Sequence, residues 1–165
     1  MRLLRAVRHL LAPDWFVLRR FPRATLDRVQ QAVADSERLH RGEIRFAVEA
    51  GLAPLDLLRS VSARDRAVAA FARLGVWDTE ENCGVLVYVQ MVDRRIEIVA
   101  DRGIAARVPQ AEWEAVCRGM EAAFRDDRYE QGALDAIARV THLLAQHFPP
   151  RADNPNELPD RPAVL

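Results

Sequence analysis

The chain has 165 residues, half of them hydrophobic, which suits one domain burying about two thirds of its unfolded surface. Its 24 basic and 24 acidic side chains cancel, excluding a global field that would recruit nucleic acid or an acidic substrate. All 24 basic residues are Arg, so Schiff-base lysine chemistry, a P-loop lysine and a kinase-type lysine are excluded too.

Charge is unevenly spread, because residues 1–41 hold nine Arg against four acidic residues, a net of five positive charges. The opening MRLLRAVRHLLAP is interrupted by Arg5, Arg8 and His9 and lacks a small-x-small cleavage site, so it does not read as a signal peptide. No run approaches a membrane span, and the chain reads as cytoplasmic. Residues 1–24 read as an amphipathic helix and a connector. The stripe Leu3, Leu4, Val7, Leu10 and Leu11, with Arg2, Arg5 and Arg8 at its margins, either docks on the domain's own core or lies peripherally on an anionic inner-membrane surface, giving membrane contact through residues 1–20. Between Pro13 and Pro22, DWFVLRRF reads as a connector packing back on the domain.

Thr25 can cap a second helix running to about Leu39, with Leu26, Val29 and Val33 at helical spacing. Gly42 stops it, and residues 44–50 alternate as a strand. A short helix or loop containing Pro54 follows. Ser62 and Asp65 then stand at capping-box spacing before a helix with Ala67, Val68, Phe71 and Leu74 inward, ended by Gly75. The stretch from Cys83 to Gly103 holds two apolar runs around Asp93 and Arg94. The first, residues 84–92, is apolar on both faces, as a central strand covered by helices on both sides requires. The second, residues 95–101, alternates more weakly and pairs with it as a hairpin nearer the edge. Pro109 precedes a helix with Trp113, Val116, Cys117, Met120 and Phe124 on one face, and a last helix turns Leu134, Ile137, Thr141, Leu144 and Phe148 inward. Residues 150–165 read as a Pro-rich tail, disordered or draped as an arm.

Strand, helix and strand in this order make a right-handed crossover, so strands 44–50 and 84–92 are expected to be parallel and the hairpin strand antiparallel. The fold class is therefore α/β, a small mixed sheet of one parallel β-α-β unit plus a β-hairpin, with helices on both faces. The starts of the parallel strands and the end of the antiparallel one share an edge. It gathers Glu37, His40 and Glu43, then Asp78, Thr79, Glu80, Glu81 and Asn82, then Asp101 and Arg102, six of the ten being acidic. Carboxylates with an amide and a hydroxyl are hard oxygen ligands suited to Ca2+ or Mg2+. The candidate metal ligands are Glu37, Glu43, Asp78, Thr79, Asn82 and Asp101, with His40 and Arg102 in support. The same residues read equally as a solvated loop edge with capped turns and an Arg102 ion pair.

Catalytic constellations are thin. The chain has three Ser and no GxSxG elbow, and it lacks a Cys-x5-Arg loop, a P-loop or a DxDxT stretch. Cys83 and Cys117 lack CxxC spacing and read as small, reduced, buried residues. His142 and His147, five apart, do not converge on a metal.

The segments SERLHRGEIRFAVE, RDRAVAAFARLGVWDTEENCGVLVYV, RRIEIVADRGI and YEQGALDAIARVTHLLAQHFP resemble the TPM-domain family, and within it the short soluble bacterial branch. The resemblance covers about residues 25–149. It implies an α/β/α sandwich, divalent-cation binding in some members and a proposed acid phosphatase activity in a plant member. Thr79 and Asn82 before Gly84, and Asp101, Arg102 and Gly103, carry over as motif residues. The expectation is thus a non-catalytic, cation-binding accessory or adaptor domain with a protein partner of the cell envelope. The alternative is a metal-dependent phosphatase acting on phosphomonoesters, with a metal-activated water at the acidic edge and Arg102 or Arg41 on the phosphate.

Overall fold

The computed structural model describes residues 7–12 and 14–165. The part of the predicted N-terminal stripe at Leu3 and Leu4, with Arg2 and Arg5, lies outside the described residues, as does Pro13. In chain order the elements are α1 (Asp14–Arg20), α2 (Arg23–Ser36), β1 (Glu43–Glu49), α3 (Pro54–Leu58), α4 (Ala63–Arg73), β2 (Gly84–Gln90), β3 (Arg95–Ala100), α5 (Arg102–Ala105), α6 (Gln110–Arg125), α7 (Tyr129–His147) and β4 (Ala163–Val164).

The sheet runs in the order β3-β2-β1-β4. β1 and β2 are parallel with Glu43 opposite Gly84, and β2 and β3 are antiparallel with Val85 opposite Ala100. The period of two then sorts the side chains. Ile44, Phe46, Val48, Val85, Val87, Val89, Ile96 and Ile98 join one core with Val29, Val33, Trp113, Met120, Ile137 and Leu144 from α2, α6 and α7. Ala47, Leu86, Tyr88 and Val99 point the other way, onto Ala67 and Ala70 of α4. The two-faced apolar run of β2 is therefore sandwiched between helical layers, as its pattern requires.

Local departures from the predicted elements have simple causes. The predicted connector is the helix α1, which sends Val17, and Phe21 just past its end, fully into the core, where Phe21 meets the rings of Phe46, Phe124 and Tyr129. Thr25 does not cap α2: the helix starts at Arg23 behind Pro22, and the Thr25 hydroxyl donates to Glu130 Oε2 at 2.6 Å. The Ser62–Asp65 capping box is formed in full at the start of α4. In that helix, Ala67 and Ala70 are buried, whereas Val68 faces outward.

Residues 150–165, read from their composition as disordered or draped as an arm, run as an arm that ends in β4, parallel to β1 at Ala47 and Val48, with the Leu165 amide donating to the Val48 carbonyl at 2.9 Å. The physical reason lies on the second sheet face. There α4 leaves part of β1 uncovered, and the arm's Leu158, Ala163 and Leu165 pack into that same cluster. Apolar area is small in the arm but finds a ready-made partner surface.

Close approach fixes one glycine in the sheet. A Cβ at Gly84 would stand 2.0 Å from the Val76 carbonyl oxygen, whereas one at Gly119 on α6 would meet open space. Gly84→Ala is expected to cost about 1–3 kcal/mol in urea denaturation, as overpacking does. Gly119→Ala is expected to add about 0.5–1 kcal/mol. Equal midpoints for the two variants would contradict this.

Candidate functional site

Strand register brings the starts of β1 and β2 and the end of β3 to one end of the sheet, so the predicted residues do share an edge. Their side chains separate into two groups there.

The first group forms where α2 passes into β1. Glu37 is the residue at the α2 C-terminus, followed by a turn, His40 and Glu43. Glu43 is 3% exposed, on the face of β1 that the arm covers, and its Oε1 accepts from the Glu157 amide at 3.1 Å. Its Oε2 is buried without a hydrogen-bond partner, as is Glu37 Oε1. Glu37 Oε2 accepts from Asn156 Nδ2 at 3.2 Å, and the same amide donates to Asp160 Oδ1 at 2.7 Å. Asn154 Nδ2 donates to the carbonyls of Glu37 and His40 at 2.9 and 3.1 Å. The arm thus lies over this part of the edge.

Burial pushes the Glu37 carboxyl up to about 8, helped by the neighbouring carboxyl of Asp160 and by the charge of Glu43. Burial likewise pushes Glu43 up to about 7, against the opposing pull of the Glu157 amide. His40 is fully buried with neither ring nitrogen hydrogen-bonded, and burial lowers it to about 4, so it is a neutral ring. Arg45 is the cation of this group. It is buried beside Asp160, its own value lowered by burial, and its Nη1 donates to the Arg161 carbonyl at 3.1 Å.

The second group is bound into the approach to β2 and the exit from β3. Thr79 Oγ1 accepts from the Cys83 amide at 3.0 Å. Asn82, at a φ of 54°, accepts from Arg102 Nε through Oδ1 at 3.0 Å. Asp101 caps α5, its Oδ1 accepting from the Arg102 amide at 2.7 Å, while its Oδ2 is buried without a partner. Gly103 passes so close that a Cβ there would stand 2.5 Å from the Glu81 carbonyl oxygen. Glu81 is held between Arg41 Nη2 at 2.9 Å and Arg151 Nη2 at 2.6 Å, and the Glu80 amide donates to the Glu157 carboxylate. Asp78 is exposed. Of the six predicted ligands, Glu37 and Glu43 come together, Thr79, Asn82 and Asp101 sit in the turn group, and Asp78 stands apart. Among the described residues, no group of three or more His, Cys, Asp or Glu side chains is placed to hold a metal ion as the edge is folded.

Two arrangements escaped the sequence reading. The arm supplies Asn154, Asn156, Glu157 and Asp160 to the acidic edge; the signal was the polar run DNPNELPD between prolines, whose composition reads as disorder. At the opposite end of the strands, Glu49 accepts from the Arg66 fork and the Tyr88 hydroxyl, with Asp56 also on Arg66 at 3.4 Å. Arg66 arrives on α4, so the pattern along the strands alone does not reveal this cluster. Cysteine chemistry finds no support: Cys83 is buried and raised to about 11 by burial, and Cys117 is raised to about 11 by the same cause.

A parallel strand pair extended by a hairpin, with helices on both faces, defines this chain as a small α/β/α sandwich. The model of the TPM domain matches residues 19–143, and the chain belongs to the TPM domain family. Its fold is similar to the NMR structure of the BA42 protein from the psychrophilic bacterium Bizionia argentinensis, with a TM-score of 0.76 and 27% identity over 86% of this chain and 93% of that one. No curated protein matches the chain. No helix among the described residues is long and apolar enough to cross a membrane.

Proposed function

We propose that this TPM domain is a non-catalytic accessory domain that takes a divalent cation, Ca2+ or Mg2+, at Glu37 and Glu43 and works with a protein partner of the cell envelope. The observation that carries the reading is the pair of buried carboxylate oxygens, Glu37 Oε1 and Glu43 Oε2, left without partners. A buried carboxylate without compensation costs several kcal/mol. In the arm-closed state the compensation comes from protons, as the raised values of both groups indicate. A hard cation can replace those protons; a third carboxylate, Asp160 or Glu157 of the arm, joins only if the arm shifts, since as folded no three among the described residues are placed to hold a metal. Two free cysteines support a reducing compartment, the cytoplasm.

The phosphatase alternative needs a free Arg on the phosphate. Arg41 is paired with Glu81, and Arg102 donates to Asn82, so both are engaged within the edge. This favours binding over turnover.

Calorimetric titration of metal-free protein with CaCl2 and MgCl2 at pH 7.5 tests the reading. Saturable binding is expected, weakened at least tenfold by Glu43→Gln and by Glu37→Gln. Equal binding by the variants would overturn the assignment of these carboxylates. Turnover of a phosphomonoester that is lost on chelation and in Glu43→Gln would establish the alternative.

A further inference from the structure

The segment before α1 has its polarity reversed. Residues 7–10 are helical, and a surface helix of a globular domain ordinarily turns its leucines inward and its polar side chains to water. Here the polar residue is inside. His9 is 3% exposed, its Nδ1 accepts from the Leu52 amide at 2.9 Å, and its Nε2 stands 3.1 Å from Asp93 Oδ1. Gly51 makes room for it, since a Cβ there would be 2.5 Å from the His9 carbonyl oxygen. With His9 fixed inward, Val7, Leu10 and Leu11 are held outward, Leu11 at 74% exposure. Helix α1 continues the pattern. Val17 and Phe21 enter the core, and on the other side Trp15 is 60% exposed with Leu18, three residues on, also exposed. A helix with large apolar side chains on both faces has an inner partner and, among the described residues, lacks an outer one.

The surrounding charge selects that outer partner. Residues 1–23 contain Arg2, Arg5, Arg8, Arg19, Arg20 and Arg23 against one acidic residue, Asp14. A symmetric contact with a second copy would set this basic stretch against itself. An anionic surface is attracted by it, at about 1 kcal/mol per Arg lying near the surface. Leucine and tryptophan side chains rimmed by Arg are the composition that enters the headgroup–acyl boundary, where the indole prefers to sit.

We propose that residues 7–18 form a docking face for an anionic lipid surface, with Leu10, Leu11 and Trp15 entering the boundary and the exposed Arg8 and Arg19 meeting the headgroups. The face is independent of the cation reading, because Leu52 and Asp93 follow the ends of β1 and β2, at the opposite end of the sheet from Glu37 and Glu43. Docking is peripheral and needs no rearrangement of the domain, since the apolar side chains are already outward.

The test is flotation of the full chain, in EDTA, with vesicles of phosphatidylcholine alone and of phosphatidylcholine with 30% phosphatidylglycerol (roughly the anionic content that gives a strong surface potential). Binding is expected to the anionic vesicles and not to the neutral ones, to fall at least tenfold when salt is raised to about 0.5 M, and to shift Trp emission to the blue. Leu11→Asp with Trp15→Asp is expected to abolish flotation while the thermal melt stays at the wild-type midpoint, because both positions are exposed. Absence of flotation at low salt, equal binding to both vesicle types, or undiminished binding by the double variant would overturn the proposal. So would a concentration-dependent dimer that the double variant abolishes without any lipid binding, which would make a second copy the occupant.

Discussion

Arg66→Ala is expected to cost about 3–5 kcal/mol of folding stability, the range for removing one partner of a buried ion pair. Glu49 is 4% exposed at the end of β1, and the Arg66 fork supplies its only cationic contact among the described residues. The pairing holds Arg66 above the ordinary guanidinium value, its hydrogen bond to Glu49 being the leading cause. Tyr88, buried in the same cluster, is raised by burial and by its own hydrogen bond to Glu49, so its hydroxyl stays a donor. Without Arg66 the carboxylate keeps the phenol alone, and Asp56 loses its partner too. Arg66→Met combined with Glu49→Gln is expected to recover a large part of the loss, because a neutral amide with a phenol donor costs far less to bury. Urea denaturation of the two variants checks this. A loss below 1 kcal/mol for Arg66→Ala would show that the pair is solvated.

In metal-free buffer, stability is expected to fall as pH rises from about 5 to 8.5. The folded protein holds protons on Glu37 to about 8 and on Glu43 to about 7, above the ordinary glutamate value of 4.5. A group whose folded value is raised contributes stability that is complete below its unfolded value and is lost as pH climbs through the folded value. The slope is at most about 1.4 kcal/mol per pH unit for each carboxyl still losing its proton. Glu37→Gln with Glu43→Gln keeps the neutral forms at every pH, so its curve is expected to lose the fall, to rise slightly from pH 5 to about 7 because buried His40 is held neutral while the unfolded ring still takes a proton, and to lie above wild type at pH 8.5. Asp65 and Glu130, held below the ordinary carboxylate range by hydrogen bonds from Ser62 and from Thr25, act in the opposite sense and only at acid pH. Denaturation midpoints across the range check the sign. A wild-type curve that rises from pH 5 to 8.5, or one that the double variant leaves unchanged, would contradict it.

The sheet was legible because its strands carry their own instructions. Val85, Val87 and Val89 against Leu86 and Tyr88 require cover on both sides, and the chain has helices to provide it. The same logic placed Trp113, Met120, Ile137 and Leu144 inward and read the Ser62–Asp65 box. What escaped was set by neighbours rather than by the segment itself. The arm has the composition of a disordered tail, and it is ordered because the second face of β1 offers Leu158 and Leu165 a place to pack. The candidate site divided for a related reason. Topology decides which loops share an end of the sheet, but the face of the strand decides where each side chain goes. Glu43 falls on the face the arm covers, whereas Thr79 and Asn82 satisfy donors within the turn. The outward leucines before α1 could not be read from periodicity, since only the buried position of His9 fixes which side faces water.

The measurement that tests the cation assignment most directly is a calcium titration of metal-free protein followed residue by residue in amide NMR spectra. Saturable shifts are predicted at 37–43 and at 154–160 of the arm, because the cation replaces the protons on Glu37 and Glu43, whose other oxygens accept from Asn156 and the Glu157 amide of the arm. Flat spectra at millimolar calcium, or shifts confined to 78–82 and 101–103, would contradict the assignment to Glu37 and Glu43.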